Sequence, residues 1–123
     1  MSSGAESPDK VTHGFALDDS RWLYAMLEAQ EHPKIIENRD VRLSPGWYAV
    51  SLSDFAGTDV LAERDFRLRY KDYPGPMAYK RGHIYGLVKV GYTLPQKVCA
   101  HHKWAAPNYA VANIITEELP FDP

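Results

Sequence analysis

The sequence predicts a small α+β domain in which about five or six mostly antiparallel strands curl into a barrel carrying two or three helices. Three observations point there. Short β-rich segments recur at Gly14–Leu17, Lys34–Arg39, Trp47–Leu52, Ile84–Val90 and Tyr109–Thr116. Between the first two lies a stretch with apolar residues at helical spacing, and before the fourth lies a charged helical stretch closed by Tyr73-Pro74-Gly75-Pro76. Helices set among strands of this length suit a curled sheet better than a regular βαβ repeat.

Residues 1–12 mix Ser, Gly, Pro, Glu and Asp with little to bury, so a flexible tail is expected there and a single domain over 13–123. Gly14-Phe15-Ala16-Leu17 runs into Asp18-Asp19-Ser20, whose side-chain oxygens can accept from the free N–H groups of a starting helix. Trp22, Ala25, Met26 and Ala29 then fall on one helical face, and Pro33 is expected to end the helix. Ser44-Pro45-Gly46 signals a turn before the next strand. Ser53-Asp54 and Thr58-Asp59 are candidate caps, the second opening a helix from about Val60 to Tyr70. Leu94 to Pro107, with two prolines and a His-rich middle, reads as a loop or a short helix.

Composition narrows the function. With 123 residues, 45% of them hydrophobic, the chain can bury one core. Fourteen basic and 16 acidic side chains give a formal net charge of −2, so any attraction to a polyanion must come from a local patch. A single cysteine, Cys99, excludes an internal disulfide and fits a reducing, intracellular compartment, cytoplasmic or nuclear. No apolar run approaches the roughly 20 residues that span a bilayer, so no membrane partner is expected.

The residues that carry chemistry cluster in three places. Lys34, Glu37 and Arg39 put three charges within six residues, with Glu37 and Arg39 on one face of a strand, where they form either an ion-pair network serving the fold or a donor and acceptor set for a ligand. Trp22 and Trp104 are candidates for stacking on a base, and packing in the core competes with that role. Six basic residues between Arg64 and Arg81, against Asp65 and Asp72, form a local excess that could follow a phosphate backbone or simply be a solvated face. Cys99, His101 and His102 lack the paired spacing of a structural zinc site, so neither a metal nor another cofactor is expected.

Read in order, Trp22 at a helix start, Lys34-x-x-Glu37-x-Arg39, Gly46-Trp47-Tyr48-Ala49-Val50-Ser51, Arg81-Gly82-His83-Ile84-Tyr85-Gly86-Leu87-Val88 and Trp104-x-x-Pro107-Asn108-Tyr109 resemble the signature of the ASCH family, a branch of the PUA-like barrels. The resemblance runs from about Gly14 to Pro120. It departs from the family where His32-Pro33 replaces the usual glycine before the lysine, and in lacking a final glycine-containing segment, which implies a minimal barrel. It implies a PUA-like barrel that binds RNA, DNA or a modified nucleobase. Trp22, Lys34, Glu37, Arg39, Ser53, Trp104, Asn108 and Tyr109 would then lie at the site, joined by Arg67, Arg69, Lys80 and Arg81 of the basic run.

Two other functions are compatible with the family. Some small ASCH-like proteins are amidohydrolases that deacylate acetylated cytidine, which would make Lys34 and Glu37 catalytic. Those enzymes carry Thr three residues after the lysine, however, and a carboxylate in its place is expected to raise the pKa of Lys34. The third is a protein-interaction module in transcription machinery. The oligomeric state is not written in the sequence.

Overall fold

The computed structural model describes residues 11–53 and 59–121. Most of the expected N-terminal tail, and the candidate caps Asp54 and Thr58, lie outside these residues. Five strands and two helices follow in the order β1 (Gly14–Leu17), α1 (Ser20–Leu27), β2 (Ile36–Arg39), β3 (Gly46–Leu52), α2 (Val60–Arg69), β4 (Ile84–Pro95) and β5 (Val111–Pro120). Short 3-10 turns occupy Pro76–Ala78 and Gln96–Cys99. The strands form one mixed sheet in the order β1-β3-β4-β5-β2, in which β1 runs parallel to β3 and the other ladders are antiparallel.

The sheet curls into a half-barrel because its long strands are irregular. The β4–β5 register shifts between Lys89 and Val90 and again between Val90 and Tyr92, and such bulges bend a strand and increase its twist. The bend carries β2 round toward β1. These are the two edges, and among the described residues no ladder joins them. Arg39 of β2 nonetheless reaches across, its guanidinium 5.3 Å from the centre of the Phe15 ring on β1.

Helix α1 begins as the sequence implies: the Asp19 carboxylate caps it by accepting from the Arg21 amide at 2.8 Å. It ends at Leu27, six residues before Pro33. The chain there doubles back, and the Lys34 amide donates to the Ala25 carbonyl (2.7 Å), satisfying one of the acceptors left free at a helix C-terminus. The helix is buried on two sides rather than one. Leu23, Met26 and Leu27 pack into the half-barrel with Val50, Leu52, Val88 and Val90, whereas Tyr24 and Ala25 meet Phe66, Tyr70 and Tyr73. Asp59 caps α2 by accepting from the Ala62 amide (3.0 Å), and only Glu63 and Phe66 of that helix are buried.

Two glycines of the Arg81–Val88 segment are required by geometry. Gly82 has φ +82°, in the left-handed region that glycine tolerates best. At Gly86 a methyl group would stand 2.8 Å from the Leu119 carbonyl oxygen and 2.9 Å from Leu27 Cδ2. Gly86→Ala is therefore expected to lower stability by about 1 to 3 kcal/mol through overpacking. A fall in the urea midpoint at constant slope would report it; an unchanged midpoint would mean that β5 yields freely there.

Candidate functional site

The opening between the two edge strands is a concave cleft of about 460 Å³. Its walls are the end of β1 (Ala16, Leu17, Asp18), Trp22 of α1, Lys34 with β2 residues Glu37, Asn38 and Arg39, and a loop supplying Lys103 to Ala106 and Tyr109. Local structure accounts for this assembly. Strand alternation puts Glu37 and Arg39 on one face of β2. Ile36 and Asn38 face the other way and hold the loop: Asn38 Nδ2 donates to the Trp104 carbonyl (2.9 Å), and Asn38 Oδ1 accepts from the Ala106 amide (3.0 Å). Gln96 Nε2 donates to the Ala106 carbonyl (2.6 Å), and Trp104 Nε1 donates to the His32 carbonyl (3.3 Å). The loop is thus tied down at both ends of its contact with the cleft.

Lys34 and Glu37 are buried, 6% and 5% exposed, whereas Arg39 is partly open to solvent. Arg39 Nε donates to Glu37 Oε2 at 2.8 Å. The Lys34 ammonium donates to the Ile36 carbonyl and lies 5.4 Å from the centre of the Trp104 ring. Trp104 in turn meets Trp22 edge to face, with ring centres 5.7 Å apart, so the two indoles form adjoining walls rather than a parallel clamp. Lys34 sits in the segment leading into β2.

Burial decides the protonation tendencies. It drives the Lys34 ammonium below the ordinary lysine value, and the attraction of Glu37 offsets this only in part. The expectation that Glu37 raises the lysine is thus corrected: the carboxylate acts in that direction, but loss of solvent outweighs it. Burial likewise lifts Glu37 above the ordinary carboxylate value against the pull of Lys34 and Arg39. Both groups are pushed toward their neutral forms. A buried base and a buried acid with softened charges suit proton exchange or hydrogen bonding with a polar ligand.

The structure brings together Trp22, Lys34, Glu37, Arg39, Trp104 and Tyr109, and leaves the other expected site residues outside the cleft. Asn108 is exposed beside it without lining it. Arg67, Arg69 and Lys80 are exposed, and Arg67 lies 5.9 Å from the Tyr73 ring. Arg81 donates to the Ser53 carbonyl (2.8 Å), which anchors the start of the Gly82 turn. The basic run is therefore a surface separate from the charged trio.

Three residues escape the sequence reading. Lys103 lines the cleft, with only its neighbour Trp104 as a signal. Asn38 serves the loop through partners more than sixty positions away. Asn113 is fully buried under β2, where it bonds Leu43, Thr93 and Glu37; a lone amide inside Val111–Ile115 was the available clue. Among the described residues no group of three or more His, Cys, Asp or Glu side chains is placed to hold a metal, and no helix is long and apolar enough to cross a membrane.

No family model matches the chain, and no curated protein matches it. The ASCH resemblance rests on the motif residues themselves.

Proposed function

We propose that the cleft holds a nucleobase or nucleoside, either free or within RNA or DNA, as an ASCH-type binding module of PUA-like architecture would. One observation carries this proposal. Two buried charged groups, Lys34 and Glu37, share a cleft with two tryptophans, so polar groups able to pair with a base edge stand beside apolar walls able to cover its ring. Its volume lies within the usual range for small-molecule pockets. Titration with ribonucleosides and with short RNA and DNA should saturate. Lys34→Arg should keep part of the affinity by keeping the charge, with a loss of about tenfold because the planar guanidinium cannot repeat the ammonium's bond to Ile36. No binding by any of these probes would remove the proposal.

The depressed Lys34 ammonium favours a second reading, the amidohydrolase. A nucleophile or base must shed its proton, and burial moves Lys34 that way, with Glu37 close enough to influence it. Incubation with acetylated cytidine separates the two. A binding module releases no acetate; acetate release by the wild type that vanishes in Lys34→Arg identifies the hydrolase, since arginine does not deprotonate.

A further inference from the structure

An open sheet edge brings peptide groups, as well as side chains, to the cleft. β3 takes its bonds from every second residue along β1: the His13 carbonyl accepts from the Ala49 amide (2.9 Å) and the Leu17 carbonyl from the Ser53 amide (2.8 Å). In such a ladder the alternate residues, Gly14 and Ala16, turn both N–H and C=O to the other side. Among the described residues no strand pairs with that side of β1. Ala16 is exposed and lines the cleft, whereas Gly14 does not line it.

The facing edge shows that peptide groups placed this way take partners. On β2 the Ile35 carbonyl accepts from the Ile115 amide (2.8 Å), so Ile35, Glu37 and Arg39 bond β5, and the peptide groups of Ile36 and Asn38 face away from it. The Ile36 carbonyl is met there by the buried Lys34 ammonium. That wall also carries the charged side chains of Glu37 and Arg39. β1 contributes Ala16, Leu17 and Asp18 to the opposite wall, so the Ala16 peptide is its fixed donor and acceptor. β3 holds that peptide in place, and no side-chain rotamer has to be frozen for it to bind.

We propose that the Ala16 peptide binds the pairing edge of a nucleobase, its N–H donating to a ring acceptor and its C=O accepting from the adjacent imide or amino N–H. This rests on the cleft being a base-binding site. Each common base carries an acceptor beside a donor on its pairing edge, the complement of one peptide N–H and C=O. A peptide strand added to β1 would need a run of such pairs, and with Gly14 outside the cleft this strand presents one there. A free nucleoside and an unpaired base within a strand offer the same edge, and the test separates them.

Calorimetric titrations of the whole protein would use the four ribonucleosides, each beside its analogue methylated on the pairing edge, and pyrimidine nucleosides methylated at the ring carbon away from that edge. Pairing-edge methylation should weaken binding about tenfold or more, and ring-carbon methylation should not. Ala16→Pro removes the outward N–H and spares the bonds to β3, a substitution that edge strands tolerate. It should weaken the unmodified nucleoside about tenfold and bring the penalty for methylation toward one. Short RNA and DNA strands separate the two sources: a base held within a chain gives binding by the single strand that is lost on annealing to its complement, and a free ligand gives binding by nucleosides alone. Equal losses from both kinds of methylation, no loss from either, or a duplex binding as tightly as its single strands would overturn the contact and leave the base cleft standing. So would a folded Ala16→Pro protein with an unchanged methylation penalty. Thermal melts report whether that variant is folded, and the wild-type series decides the question if it is not. Failure of every probe to bind would overturn both the contact and the base cleft.

Discussion

Replacing Asn113 with alanine is expected to lower stability by about 3 kcal/mol or more. Its side chain has no solvent exposure and joins three partners from three parts of the chain. Asn113 Oδ1 accepts from the Leu43 amide (2.9 Å) and the Thr93 hydroxyl (2.7 Å), while Nδ2 donates to the Glu37 carbonyl (3.2 Å). Alanine would leave these groups without their partner in the interior, each at about 1 to 3 kcal/mol if no water replaces it. Asn113→Leu fills the volume but not the bonds, so it should rescue little. Urea unfolding of the three proteins measures this. A loss below about 1 kcal/mol would mean that water enters and repairs the network. The effect should also reach the cleft, because the Glu37 carbonyl is one of the partners and the adjacent carboxylate lies in its wall.

Legibility in the sequence followed the range of the interactions. Asp19 and Asp59 could be recognised as caps because a cap acts within three residues of itself. The pairing of Glu37 with Arg39 was equally readable, since strand alternation puts them on one face. The curled α+β sheet with its two helices emerged from such local signals. The end of α1 was not readable: Pro33 stops a helix, but the chain leaves it at Leu27 and folds back so that Lys34 can satisfy Ala25. Nor was the reach of β4 to Pro95, whose later residues are fixed by pairing with Asn113 and Ala112 of β5. The sign of the Lys34 shift failed for the same reason. Neighbouring charge is visible in sequence, but burial by Trp104 and its loop is contributed by residues seventy positions away. The basic run from Arg64 to Arg81 looked continuous only because sequence order ignores where α2 points.

Removing both buried charges should stabilise the protein and abolish binding. In a Lys34→Met, Glu37→Gln double variant, two groups that burial penalises become neutral, and Arg39, partly open to water, keeps its solvation. Replacing buried ionic groups with neutral ones of similar volume is commonly neutral or stabilising by about 1 to 4 kcal/mol, and a gain within that range at pH 7 is expected. The pH dependence has a defined sign. The raised Glu37 means that, as pH climbs from 4.5, the folded wild type holds more protons than the unfolded chain, so this group's contribution to stability falls over that window. The lowered Lys34 means that the folded state binds fewer protons as pH approaches 10.5, so stability recovers there. The advantage of the double variant should therefore be widest near neutrality and shrink toward both ends, as read by thermal unfolding across pH. Loss of stability in the variant at pH 7 would mark Lys34, Glu37 and Arg39 as a structural ion-pair network instead. A gain in stability coupled to loss of nucleoside binding would mean that these charges are kept in the interior at a cost to the fold, as groups that serve a ligand are.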